Sequence, residues 1–216
     1  MVDVRESALP PALFRRARQA IRRLGTERLR QSYFTTFWMP LGGGRPKGKA
    51  AVLAVPAAGL DARPAHALEE AVLALARIAR PRGCTGAEWW LGRSFTTDVP
   101  IEFHFDHDVK RRERGGPLVH PALSSVLFFN RVRGGELAVV GERGTAKVKP
   151  RANRYATFAG HLAHGVLDAR GRVPSGRLPG PRGRMRVTLV VNFWRRRPTG
   201  VPTWRASGVY RALQPG

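Results

Sequence analysis

The chain has 216 residues and a hydrophobic content of 43%, which allows one domain with a substantial core. Its single cysteine excludes a disulfide framework and a thiolate metal site. Arginines spread along the chain supply most of the net charge of +23, and no alternation of basic and aromatic residues marks a stacking surface for nucleic acid.

A solvated basic surface is the favoured interpretation of this charge, while affinity for nucleic acid, an anionic substrate or an acidic peptide stays open. No stretch of 18 apolar residues is present, so no transmembrane helix is expected. The first residues carry acids and form no apolar segment, and we therefore expect no secretory signal. With Cys84 alone, the reducing cytoplasm is the expected location.

Two helices are predicted in the N-terminal part, within residues 10–80. The first starts at the proline pair Pro10-Pro11 and ends at Gly25, and its apolar stripe comprises Leu13, Ala17, Ile21 and Leu24. The second covers 63–80 with Asp61 as its candidate N-cap, and its stripe comprises Leu68, Val72, Leu75 and Ile78.

From residue 87 the pattern changes to short strands separated by Gly, Pro and Asn. The predicted strands are 33–39 and 50–55 between the helices, and then 88–95, 101–104, 124–129, 136–140, 146–149, 154–158, 164–167 and 184–194. Eight short strands without intervening helices predict a mainly β fold, a jelly roll or barrel with flanking helices. We therefore expect one domain over 1–216, with the helices of 10–80 packed on a β core at 87–194 and a tail at 195–216.

Candidate metal ligands lie two residues apart, at His104 and Asp106. Side chains alternate along an extended segment, so this imidazole and this carboxylate point to the same side. A second histidine would complete the facial arrangement of two His and one carboxylate that holds non-haem Fe(II) with open positions. A His-x-Asp pair alone is common by chance.

Two histidines are candidates for the third ligand, His161 and His164. His164 is favoured because it opens an apolar strand and is followed by Gly165, which leaves room for a metal near the backbone. His161 lies in the preceding turn and stays open as the alternative.

The strand near the C-terminus carries an arginine among apolar residues. Arg186 and Thr188 share one face of this strand, and an arginine there is costly to bury unless it meets an anion. Its planar guanidinium can bind a carboxylate through two parallel hydrogen bonds, and the Thr188 hydroxyl can donate to the same carboxylate. A structural salt bridge to an acid is the competing interpretation.

Taken together, these residues resemble the Fe(II)- and 2-oxoglutarate-dependent dioxygenases, in particular the prolyl-hydroxylase-like branch. The resemblance covers about Glu88 to Trp194. It depends on the order and spacing of five pieces: His104-x-Asp106, Val126-Leu-Phe-Phe-Asn130 followed by Gly134-Gly135-Glu136-Leu137, Phe158-Ala-Gly, His164-Gly-Val166 and Arg186-x-Thr188.

The resemblance implies a double-stranded β-helix, the cupin-like jelly roll, with Fe(II) bound by the catalytic residues His104, Asp106 and His164. It implies that the distal carboxylate of 2-oxoglutarate binds Arg186 and Thr188. Asn130 is a further candidate for binding the cofactor, as a residue that lines the pocket. Members of the family consume O2 and 2-oxoglutarate, release succinate and CO2, and hydroxylate a C–H bond. Related halogenases lack the carboxylate ligand, so Asp106 favours hydroxylation.

Two departures from the family pattern concern the anchor and the substrate. The segment 168–183 is longer than the usual connection, and it leaves Arg184 as a possible substitute for Arg186. The Arg-x-Asn-x-x-x-x-Arg run of related nucleic-acid demethylases is absent, so we expect an amino-acid side chain as substrate, free or in a peptide or protein, with an acidic peptide mildly favoured. The alternatives are a non-catalytic β-helix binding protein and a basic nucleic-acid-binding module.

Overall fold

The computed structural model describes residues 1–25, 35–42, 64–95, 102–168, 170–171 and 184–213, and for residues 94, 95 and 211 it describes the backbone alone. The helices are α1 (Pro11–Arg23), α2 (Ala67–Ala79), α3 (Val109–Glu113), α4 (Trp204–Ser207) and a 3-10 turn at Arg211–Leu213. The strands are β1 (Asp3–Arg5), β2 (Phe37–Pro40), β3 (Gly86–Phe95), β4 (Leu123–Phe128), β5 (Leu137–Gly141), β6 (Gly144–Val148), β7 (Tyr155–Ala159), β8 (His164–Val166) and β9 (Met185–Trp194).

The strands form two antiparallel sheets. The larger sheet has the order β1-β7-β4-β9-β3-β2, and the smaller has the order β6-β5-β8. One hydrophobic core lies between them, because β4, β5, β6 and β7 all contribute to it: Val126, Phe128, Leu137, Val139, Val148, Ala156 and Phe158. Two packed sheets of short antiparallel strands are the predicted jelly roll.

A second core lies under the helices, on the other face of the larger sheet. The stripe of α1 is buried as predicted, and that of α2 is buried at Leu68, Val72 and Leu75. These side chains pack against alternate residues of β3 and β9, among them Trp89, Leu91, Leu189 and Phe193. Burial of these large apolar groups fixes the helices outside the β core. Among the described helices, none has the length and apolar character that crossing a bilayer requires.

Most predicted strands are found with ends shifted by one or two residues. Two predicted strands differ more. That expected over 33–39 is found only at Phe37–Pro40, and that expected over 101–104 is not found, since residue 101 lies outside the described residues and 102–103 form no strand. His104 instead makes one isolated bridge with His164. The strand expected at 50–55 lies outside the described residues, as does Asp61.

The N-cap of α2 is a histidine, which the sequence pattern did not indicate. The Nδ1 atom of His66 accepts a hydrogen bond from the backbone N–H of Glu69 at 3.3 Å. Its ring packs edge-on against Trp204, with ring centroids 4.3 Å apart. Burial lowers the pKa of His66 to about 4, so the ring caps the helix as a neutral acceptor.

This cap predicts a loss of stability in mild acid. The unfolded histidine titrates near pH 6.5, so its contribution to stability is complete above that pH and is lost as the pH falls through about 4. Between about pH 7 and about pH 4.5, the free energy of unfolding of the wild-type protein should fall by about 2 kcal/mol more than that of His66→Asn. Urea denaturation measures both, and asparagine is the matched control because it caps a helix but does not titrate. An equal fall in the two proteins would contradict the prediction.

Candidate metal centre

The inner face of the larger sheet is the face that looks toward the smaller sheet. Val126 and Phe128 of β4 lie on it, since both belong to the core between the sheets. Strand register places the alternate residues of the neighbouring strands on the same face. These are Glu88, Trp90 and Gly92 on β3, Ser124 on β4, and Arg186, Thr188, Val190, Asn192 and Trp194 on β9.

Three side chains converge beside this face. The backbones of His104 and His164 exchange two N–H···O bonds of 3.0 Å, which bring the segment before α3 against β8. One ligand atom from each of His104, Asp106 and His164 lies within 4.8 Å of the others. The carboxylate is 3.5 Å from Nε2 of His164 and 3.9 Å from Nε2 of His104. The structure therefore brings the three predicted metal ligands together.

Both imidazoles are oriented for binding through Nε2. The Nδ1 atom of His104 lies 2.8 Å from the carbonyl of Glu102, and that of His164 lies 3.1 Å from the carbonyl of Leu162. A carbonyl accepts only, so each Nδ1 carries the proton and each Nε2 lone pair faces the carboxylate. This donor set, two neutral imidazoles and one carboxylate, fits a divalent transition metal such as Fe(II).

The centre is open on one side. The side chain of His104 is 44% exposed, whereas those of Asp106 and His164 are 11% and 10% exposed. Burial lowers the pKa of His164, and the nearby Asp106 carboxylate opposes this effect. A lowered pKa keeps the imidazole neutral, which is the form that binds a metal. Because the His104 side chain is exposed, the centre is accessible from solvent on that side.

Two residues that the sequence analysis missed hold Asp106 in place. The Ser124 hydroxyl donates to Oδ2 of Asp106 at 2.8 Å, and the His120 ring bonds the backbone carbonyl of Asp106 at 2.7 Å. Such bonds orient a ligand and raise its affinity for metal. The contact of Ser124 depends on strand register, and that of His120 depends on the conformation of a loop. The local sequence therefore predicts neither contact.

Arg186 and Thr188 lie on the inner face, beyond the metal ligands. Arg186 is 3% exposed, its Nε donates to the carbonyl of Gly135 at 2.8 Å, and its guanidinium lies over the Phe128 ring. The Thr188 hydroxyl donates to the carbonyl of Gly92 at 3.2 Å. Their assignment to the distal carboxylate of 2-oxoglutarate stays a prediction.

Asn130 supports the start of β9. Its Nδ2 donates to the carbonyl of Met185 at 2.7 Å, and its Oδ1 accepts from the N–H of Val187 at 3.1 Å. These bonds flank Arg186 and position it, while direct contact of Asn130 with a cofactor stays a prediction. The two alternative residues are both exposed: His161 lies in a turn and Arg184 precedes β9.

No protein-family model and no curated protein sequence matches this chain. Similar solved structures include a prolyl-4-hydroxylase from Pseudomonas putida, with a TM-score of 0.53 and 20% identity, covering 90% of this chain and 85% of that one. A prolyl hydroxylase from Trichoplax adhaerens, in complex with a peptide fragment of hypoxia inducible factor, has a TM-score of 0.50 and 12% identity, covering 89% and 83%.

A prolyl 4-hydroxylase from Phytophthora capsici has a TM-score of 0.51 and 13% identity, and the match covers 94% of this chain and 61% of that one. This chain has the fold of the prolyl hydroxylases. The predicted fold class is thereby confirmed. At these identities the similarity establishes the fold alone, and the chemistry has to be argued from the site.

The bond from Ser124 predicts a selective effect on metal affinity. Ser124→Ala removes the donor to Asp106, so the affinity for Fe(II) or Co(II) should fall about ten-fold, as measured by calorimetric titration under anaerobic conditions. Ser125→Ala is the matched control, because its hydroxyl faces the helices and donates to the carbonyl of Val191. Equal metal affinity in the wild type and Ser124→Ala would show that this bond does not support the ligand.

Proposed function

We propose that this protein is an Fe(II)- and 2-oxoglutarate-dependent dioxygenase that hydroxylates a C–H bond of an amino-acid side chain. The observation that carries the proposal is the convergence of His104, Asp106 and His164. Nδ1 of each imidazole is bonded to a carbonyl, which leaves Nε2 of both rings to bind a metal. The shared fold with prolyl hydroxylases supports it. A non-catalytic binding protein on the same scaffold would not need imidazoles arranged in this way.

In the proposed reaction, one oxygen atom of O2 enters the C–H bond and the other enters succinate, while the first carboxyl group of 2-oxoglutarate leaves as CO2. The bound iron supplies this oxidation chemistry. His104, Asp106 and His164 would hold the metal. Ser124 orients the carboxylate of Asp106, and His120 holds the backbone of the same residue. Asp106 takes a position that a halide would otherwise occupy, which favours hydroxylation over halogenation.

The co-substrate lies, in this proposal, between the metal ligands and Arg186. The buried Arg186 guanidinium can bind a carboxylate through two parallel hydrogen bonds. The hydrogen bond to Gly135 and the Phe128 ring fix its direction. Thr188 supplies a hydroxyl on the same face. This group orients the keto acid rather than taking part in the oxidation.

The proposed substrate is a side chain within a peptide or protein, and a free amino acid is the alternative. The structure of the Trichoplax adhaerens enzyme with a peptide fragment supports a peptide. The net charge of +23 supports acidic residues in the flanking part of that peptide, where they meet the basic surface. We also propose a cytoplasmic location, since Cys84 is a free thiol.

Anaerobic titration tests the proposed function. Wild-type protein with Fe(II) and 2-oxoglutarate should develop the weak visible charge-transfer band of the chelate, and it should form succinate when O2 is admitted. His164→Ala should lose both signals, because one of the three ligands is gone. His161→Ala is the matched control, since this histidine is exposed in a turn, and it should keep both. Absence of the band and of succinate in the wild type would overturn the proposal.

The anchor has its own test. Arg186→Ala should weaken binding of 2-oxoglutarate by about 2–5 kcal/mol, since the carboxylate loses a bidentate partner and stays buried, while affinity for the metal is kept. Arg184→Ala removes the same charge two residues away at an exposed position and should have little effect. Calorimetric titration of both variants with 2-oxoglutarate measures the difference. The reverse order of effects would assign the anchor to Arg184.

A further inference from the structure

A row of polar side chains crosses the inner face of the larger sheet at the level of the metal ligands. Ser124 lies opposite Asn192, and Asn192 lies opposite Glu88. Directly opposite residues of antiparallel strands have Cβ atoms about 5 Å apart. This polar row (Ser124, Asn192 and Glu88) therefore starts at the residue bonded to Asp106 and ends about 10 Å away, on β3.

The centre of the polar row holds an unsatisfied acceptor. Asn192 is 1% exposed, and its buried Oδ1 has no hydrogen-bond partner among the residues that the structure describes. A buried polar atom without a partner is costly and requires an explanation, of which a bound ligand is one. Because Asn192 faces the same side as Glu88 and Ser124, a ligand that satisfies it lies beside the metal centre.

Glu88 adds a carboxyl group to this region. The Thr36 hydroxyl donates to Oε1 of Glu88 at 2.6 Å. Burial raises the pKa of Glu88 to about 7, with Asp106 and Asp108 adding to the shift and the Thr36 and Trp194 side chains opposing it. The carboxylates of Asp106 and Asp108 thus lie close enough to Glu88 to affect its pKa. The chain as a whole has a net charge of +23. A cation bound beside Glu88 would stabilise its carboxylate form.

The polar row lies away from the proposed anchor of the co-substrate. Along β9, Asn192 is about 13 Å from Thr188 and about 20 Å from Arg186, at about 3.3 Å per residue. A keto acid that extends from the metal toward Arg186 therefore leaves the polar row to the substrate. Trp90 lies on the same face as Glu88 and is partly exposed.

We propose that Glu88 and Asn192 form a subsite for a protonated nitrogen, and that the residue hydroxylated is a cationic one, of the lysine or arginine class. This inference rests on the proposed function for the reaction, but the binding preference itself does not. The ammonium or guanidinium group donates to the Glu88 carboxylate and to Oδ1 of Asn192. Both residues determine specificity, and neither acts on the metal.

Capped tripeptides test the subsite on the wild-type protein. Each has the form Gly-X-Gly, with X as lysine or its neutral analogue norleucine, and as arginine or its neutral analogue citrulline. Calorimetric titrations use the metal-free protein and, separately, the protein with Fe(II) and 2-oxoglutarate under anaerobic conditions. The cationic peptide of at least one pair should bind about ten-fold more tightly than its neutral analogue, the effect of one charge-assisted hydrogen bond.

Two variants assign the preference to Glu88. Glu88→Gln is isosteric with the protonated carboxyl group and should fold, and it should bind the cationic and neutral peptides about equally. Glu70→Gln is the matched control, since this carboxylate is exposed on α2 and pairs with Arg16. It should retain the preference.

Equal binding within both pairs, a preference that survives Glu88→Gln, or no binding of either cationic peptide at millimolar concentration would overturn the subsite. A preference without succinate formation or mass gain of one oxygen would refute the proposed function and leave the subsite in place. Succinate formation without a preference for the cationic peptide would refute the subsite and leave the proposed function in place.

Discussion

The candidate centre depends on one pair of backbone hydrogen bonds, between His104 and His164. They join β8 to a segment that belongs to neither sheet. They thereby bring together two histidines that are far apart in the sequence. Because each imidazole is also bonded at Nδ1 to a carbonyl two residues before it, position and orientation are fixed together. Ser124 then holds the carboxylate of Asp106, and His120 holds its backbone carbonyl.

The two faces of the larger sheet differ in polarity, because side chains alternate between the faces along each strand. Toward the helices, β3 and β9 present apolar side chains that are almost fully buried. Toward the smaller sheet, the same strands carry Glu88, Asn192, Thr188 and Arg186. The acidic and amide groups lie at one end of this face and the guanidinium at the other, so a molecule bound along it meets opposite polarity at its two ends.

Sequence periodicity was sufficient for the helices, for most strands and for placing His104 and Asp106 on one side of the chain. The sequence favoured His164 over His161 as the third ligand, but only the family resemblance implied that all three residues bind one metal. Periodicity was not sufficient for contacts that depend on register or on irregular backbone. The strand expected at 101–104 is only a bridge, and the cap of α2 is His66 rather than a residue with a familiar capping side chain. The role of Ser124 depends on the pairing of β4 with its neighbours, which the sequence of β4 does not show. The polar row likewise spans three strands, so no single strand reveals it.

Asp108 ties the C-terminal segment to the ligand-bearing part of the chain. Its Oδ1 accepts from the N–H of Arg111 at the start of α3, and its Oδ2 accepts from both the N–H and the hydroxyl of Thr199. Further along, Trp204 and Tyr210 are buried in the helix-side core. The described residues after β9, 195–213, thus support the segment that carries the metal ligands. Deletions or fusions placed directly after β9 would release the segment that carries His104 and Asp106.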